Sequence, residues 1–236
     1  KAGNISDSGW KYSETLIQEI ANEALANGNA NRGETIFRRS DLQCLLCHAI
    51  GGAGGKVGPD LVSIGGSAQA DYLVESLIAP NRKVKENYHS IRILDVNGRV
   101  FTGVQVRSDD HEITIRNSRN QLISIAKVDV ELQQEARSLM PDGAVDSLTQ
   151  QEIVDLVAFM GQLGKVGDFE ISKTEFARSW QQLIWTDQAH RRLNRTSVDI
   201  AATNDPDLTW ESYITTVGAD VVVQELPVFV PRTDVD

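Results

Sequence analysis

Gln43-Cys44-Leu45-Leu46-Cys47-His48 is the stretch on which the reading of this chain turns. Cys-x-x-Cys-His is the attachment signature of a c-type haem. The spacing has a chemical reason. Two thiols one helical turn apart can each add to a different vinyl group on one porphyrin edge, and the adjoining imidazole can lie under the iron as proximal ligand. The chain has two cysteines, and both are here. Three other readings stand beside this one. A thioredoxin-like redox pair calls for a βαβ setting that the sequence lacks. A zinc site calls for further ligands at zinc spacing, and there is no second Cys pair. A plain disulfide leaves His48 without a purpose.

The 236 residues suffice for one large or two small domains, and an apolar fraction of 41% is ordinary for a globular chain. A formal net charge of −10 weighs against nucleic acid as a partner. No run of about eighteen apolar residues is present, so no membrane span is expected. No signal peptide is visible at Lys1, so the numbering reads as starting after processing or inside a longer parent protein.

Upstream of the motif, Tyr12, Leu16, Ile20 and Ala24 fall four apart and predict a helix to about Asn27. A second short helix over Asn31–Phe37 leads into the motif. Downstream lies Gly51-Gly52-Ala53-Gly54-Gly55-Lys56-Val57-Gly58-Pro59-Asp60-Leu61. It is not a phosphate loop, because Ile50 and Val57 stand where that motif needs Gly and Ser or Thr. Ser67 is expected to cap a helix over Ala68–Ala79, with Leu73, Val74, Leu77 and Ile78 on one face and Pro80 as its stop. Residues 88–126 change period to two: Ile91 and Ile93, an Asn97-Gly98 hairpin signal, Val100 to Val106, Ile113 and Ile115, Ile123 and Ile125. This predicts about four short antiparallel strands, stable if their apolar face packs on the helical host. Lys83, Lys85, Arg92 and Arg99 near the start of this module are expected to form a docking rim on an acidic protein.

Ser138-Leu139-Met140-Pro141 follows, then a closing helix with a Thr149/Glu152 capping box and a stripe of Ile153, Leu156, Val157 and Met160. Met140 lies in a loop, Met160 inside the helix stripe, where a thioether is core packing. Residues 166–236 are the least legible; a helix over Phe169–Trp185 and an extended run over Asp220–Val230 are expected.

Taken together, Cys44-x-x-Cys47-His48, Gly58-Pro59-Asp60-Leu61, Met140-Pro141, and Gly33 and Phe37 set against Phe159 resemble the class I cytochromes c. With strands inserted ahead of the methionine, the pattern is similar to the haem-binding cytochrome domains abundant in planctomycetes and related bacteria, which often sit within long, multidomain, predicted membrane-associated dehydrogenases. The resemblance covers about 28–165. It implies a mainly α cytochrome c fold with an inserted small antiparallel β module over 87–133, α+β overall. Residues 1–27 are then an N-terminal extension helix, and 166–236 a C-terminal extension or the start of a further domain. It also implies haem c held through Cys44 and Cys47, with His48 and Met140 as the iron's axial ligands. The Pro59 carbonyl accepts the Nδ1 hydrogen of His48, which fixes the ring. The function implied is single-electron transfer between redox partner proteins, without catalysis of its own, in the periplasm or otherwise outside the cytoplasm. Alternatives are a haem-based redox or gas sensor, the electron-entry domain of a larger dehydrogenase, and a peroxidase, which needs an open distal position that Met140 would fill. Ligation by His89, His111 or His190 in place of Met140 would lower the potential.

Overall fold

A computed structural model describes residues 9–171, 178–193, 206 and 208–218. The chain divides into two units, Lys1–Ile171 and Ser172–Asp236.

The first unit begins with Trp10, whose indole N–H donates to the Leu148 carbonyl at 3.2 Å while its backbone N–H donates to Asp146. Helix α1 (Glu14–Asn27) is capped by the Ser13 hydroxyl and buries Ile17, Ile20, Ala21 and Ala24. The buried face is thus turned from the expected one, with Ile17 and Ala21 inside and Tyr12 and Leu16 at its margin. Helix α2 (Ala30–Phe37) is capped by Asn29 and makes its main packing with α6 (Gln150–Gln162). Gly33 makes that crossing possible. A Cβ there would fall 2.0 Å from the Asp155 carbonyl oxygen and 2.6 Å from the Phe159 Cβ. Phe37 and Phe159 stack beside it with ring centroids 5.7 Å apart, and Phe169 meets the other edge of Phe159 at 5.4 Å. Asp155 locks the pair. Buried at 2% exposure, it takes two bonds from Arg32 at 2.7 and 3.0 Å and one from the Asn29 N–H at 2.8 Å. Burial pushes its carboxyl pKa up, but these donors and Gln151 outweigh that and hold it below the usual carboxylate range.

Between these helices lie α3 (Cys44–Cys47), the two-residue strands β1 (Ala49–Ile50) and β2 (Ala53–Gly54), α4 (Ile64–Ser67) and α5 (Ala70–Ile78). The helix expected over Ala68–Ala79 is α5, Ala70–Ile78, but Ser67 does not cap it. Ser67 ends α4, its hydroxyl donating to the Ser63 and Ile64 carbonyls, and α5 starts from Gln69. The apolar face of α5 is as read: Leu73, Val74, Leu77 and Ile78 are buried. At the far end Thr149 and Glu152 form the reciprocal cap of α6.

The sheet is larger than the sequence suggested. Strands β3 (Ser90–Asp95), β4 (Val100–Ser108), β5 (Glu112–Arg116), β6 (Leu122–Ala126) and β7 (Val130–Ala136) form one antiparallel sheet in the order β6-β5-β4-β3-β7. A 3₁₀ turn, Lys127–Asp129, carries the chain from β6 to β7. The fifth strand extends past the expected insert boundary at 133. Its sequence is polar, Glu131 to Glu135, and it is an exposed edge whose extended shape comes from pairing with β3. Ile93, Ile113, Ile115 and Ile125 make a buried cluster, with Ile91, Phe101, Ile123 and Val130 packed against it. Every member belongs to the sheet or its turn. The expected packing of this face on the helices is therefore corrected: the module carries its own core.

The fold class is corrected with it. Helix accounts for 31% and strand for 24%, so the chain is mixed, with a five-stranded antiparallel sheet, and is not a mainly α cytochrome c fold. In the second unit, β8 (Ser179–Leu183) and β9 (Trp210–Ile214) pair antiparallel, with α7 (Asp187–Leu193) between them in sequence. A strand thus replaces the helix expected around Trp180. Phe176, the side chain of His190 and the run Asp220–Val230 lie outside the described residues. No described helix is long and apolar enough to cross a membrane.

Candidate functional site

Gln43 enters α3 in the left-handed region at φ 56°, and the single turn that follows puts Cys44 and Cys47 on one side of it. Both thiols are unlinked and half-buried. Burial pushes the Cys44 thiol up to about 11, and it also raises Cys47. Both are therefore protonated, poorly nucleophilic thiols at neutral pH.

The glycine-rich loop folds back on the motif. The Gly55 N–H donates to the Leu45 carbonyl, Gly58 to Cys47 and Leu61 to Ala49, each at 2.8 Å. Asp60, itself exposed, ties the loop together, accepting from the N–H groups of Gly51, Gly52 and Val62 at 2.9, 2.7 and 2.9 Å. Asp60 went unassigned in the sequence. The signal was an Asp placed to close a turn on neighbouring glycines.

His48 lies against this loop with Nδ1 2.9 Å from the Pro59 carbonyl oxygen. A carbonyl can only accept, so Nδ1 carries the hydrogen and Nε2 presents its lone pair. Gly58 backs the ring: a Cβ there would fall 2.4 Å from the His48 Cε1 and 2.7 Å from Nδ1. Burial lowers the imidazole pKa, opposed by the Pro59 bond and the Asp60 charge. A neutral ring of fixed tautomer is what a metal ligand requires.

Met140 lies apart in sequence, half-buried in the loop between β7 and α6. Its N–H donates to the Ser138 hydroxyl at 3.2 Å. The loop is held by Asn81, just past α5. Asn81 Oδ1 accepts from the Ser138 N–H at 2.9 Å, and its Nδ2 donates to Asp142 at 2.7 Å. Arg137 donates to the same carboxylate at 3.1 Å. Met160 is buried in α6, inside the helical core. His89 and His111 are exposed, one ahead of β3 and the other in the β4–β5 turn. Of the expected docking rim, Lys83 is tied to Glu75 at 2.6 Å and Arg99 to the fully buried Asp95 at 2.6 Å.

The residues fit a covalently held haem: two thiols on one turn, an imidazole with a directed Nε2, and Gly58, whose missing side chain leaves space for that ring. Among the described residues no group of three or more His, Cys, Asp or Glu side chains is gathered as a metal cage. A cavity of about 740 Å³ lies between α1, α4, α5 and α6, lined by residues such as Gln18, Gly65, Asp71 and Gln162, and includes none of the motif residues. Compared with protein-family models and with curated proteins, the chain matches none.

Proposed function

We propose that this chain carries one haem c and passes single electrons between redox partner proteins outside the cytoplasm. The observation that carries the reading is the fixed His48 ring, with Nδ1 committed to Pro59, Gly58 against one side, and Nε2 left to ligate. Cys44 and Cys47 would hold the porphyrin as thioethers, and His48 and Met140 would supply the imidazole and thioether that ligate its iron. The bound iron supplies a one-electron change of valence with both ligands in place, so no substrate has to reach the metal.

The protein's own residues do the rest. Pro59 and Asp60 set the orientation and basicity of His48. Met140 offers a soft, neutral thioether that favours the ferrous state and raises the potential. The ligand pattern resembles that of the class I cytochromes c, which supports the same reading.

The test is expression with haem-maturation machinery. Acid-acetone extraction should leave haem on the denatured chain, and the oxidised protein should show a sulfur-to-iron charge-transfer band that Met140→Leu abolishes and Met160→Leu does not. Free haem in the extract with two titratable thiols would reject attachment. Loss of the band on Met160→Leu alone would reverse the ligand assignment.

A further inference from the structure

The Met140 loop is long, half-exposed and without regular structure, yet a ligand on such a loop must be held in place. Two fixed points flank it. Ser138 lies two residues before Met140 and Asp142 two residues after, and one side chain, Asn81, bonds to both, at 2.9 and 2.7 Å. Asn81 is itself pinned. The next two residues, Arg82 and Lys83, both pair with Glu75 on α5, at 2.9 and 2.6 Å, and Glu75 is 6% exposed. Arg82 also lies over the Tyr12 ring, 3.8 Å from its centroid, and its N–H donates to the Ala79 carbonyl at 2.9 Å. The turn after α5 is therefore fixed on the helical core, and Asn81 projects from it across the base of the loop.

We propose that Asn81 is the positioning residue for Met140, and that its two hydrogen bonds set how firmly the thioether stays in the ligating position. The inference rests on the reading of Met140 as axial ligand. The amide suits the task because it accepts on one side and donates on the other. Aspartate in its place would keep the bond to Ser138 and set a second carboxylate against Asp142. The reciprocal change, Asp142→Asn, turns the partner into a donor. The pair Asn81→Asp with Asp142→Asn therefore restores the bond between the two side chains with donor and acceptor exchanged, and leaves the Ser138 bond as it was.

The probe is imidazole, which binds the haem protein only when Met140 leaves. Two exposed hydrogen bonds at the low end of their worth predict that Asn81→Ala raises apparent imidazole affinity about fivefold. Asn81→Asp should raise it further, about tenfold, since repulsion is added to the loss. The double variant should return to within about twofold of the parent protein. Asn117→Ala, which unties the Asn117–Gln121 turn of the sheet, should leave imidazole binding unchanged. Equal affinity in all the Asn81 variants, or a rise in Asn117→Ala as large as in Asn81→Ala, would overturn the proposal.

The clamp is read separately from the ligation on haem-free protein by amide exchange at Ser138. Asn81→Ala should speed that exchange about fivefold. Faster exchange with no sulfur-to-iron band in the parent protein leaves the clamp standing and rejects Met140 as ligand. Unchanged exchange rejects the clamp.

Discussion

The helices and the sheet of the first unit are held together by different means. In the helical part, the decisive contacts join residues far apart in the chain: Gly33 and Phe37 against Phe159, Arg32 and Asn29 against Asp155, Trp10 against Leu148. In the sheet, neighbouring strands pair in sequence order, and an isoleucine cluster drawn from those strands fills the inner face. Only β7 returns over a distance, to pair with β3, and there Ser90 stands opposite Ala136. The module thus begins and ends at one place, which is how a self-sufficient sheet can sit within a helical chain at little cost in loop closure. The helical part builds the His48 site, and the sheet's return delivers the chain to Met140.

That contrast can be broken most severely at Phe159. Phe159→Ala removes a fully buried ring shared by Phe37 and Phe169 and should cost about 3–5 kcal/mol, read by denaturant unfolding. Amide protection should fall in α2 and α6 and persist in the sheet if the cores are separate. Ile115→Ala should cost about 2–4 kcal/mol with the reverse pattern, protection falling in β4 to β6. The double variant should be additive to within about 0.5 kcal/mol. Strong coupling between the two would show that they are one core.

A smaller effect is expected at the α6 cap. Thr149→Ala breaks the reciprocal bonds with Glu152 and should cost about 1 kcal/mol in thermal or denaturant unfolding, with the sheet unchanged.

Acid should also separate the regions gently. Asp155, Glu152 and Glu75 in the helical part, and Asp95 and Asp109 in the sheet, all have pKa values held below the ordinary carboxylate range. Their stabilisation is present above the unfolded-state pKa, about 4, and is lost as pH falls through the lower folded-state values. The buried His48, with its lowered pKa, should make stability begin to decline as pH falls below about 6.5, and the carboxylates should add a steeper fall below about 4. In Asp155→Asn the helical amides should lose most of that acid dependence while the sheet amides keep theirs. Identical acid profiles in the two proteins would show that the Asp155 lock does not contribute.

Much of this was legible in the sequence because it was local. The Cys44–His48 spacing, the Asn97-Gly98 hairpin, the Thr149/Glu152 cap and the isoleucine alternation each depend on neighbours within a few residues, where side-chain chemistry fixes the backbone directly. The readings that failed were those that needed a partner from elsewhere. Val130–Ala136 alternates only at Val130 and Leu132 before turning polar, and is a strand because β3 lies beside it. Ser67 carries the chemistry of an N-cap but turns its hydroxyl back to α4. The residues around Trp180 have a helix-like apolar spacing, and pairing with Trp210–Ile214 makes them a strand. The mainly α expectation failed for a related reason: a small insert resting on the helices leaves a fold mainly α, whereas this sheet has five strands and a buried isoleucine cluster of its own.

By itself, then, the sequence determined which residues are candidates for the proposed site: two thiols, an imidazole and a loop methionine, with the proline and glycines that accompany them. It also determined where the backbone changes from helical to extended period. Tertiary structure decided that Gly33 is a crossing point, that Asp60 closes the loop behind His48, and that Asn81 holds the residues on either side of Met140. Hydrogen bonds and close contacts of that kind join positions up to 138 residues apart, as Trp10 and Leu148 are. Such pairs leave no periodic trace along the chain, because what brings them together is the burial of apolar faces in three dimensions.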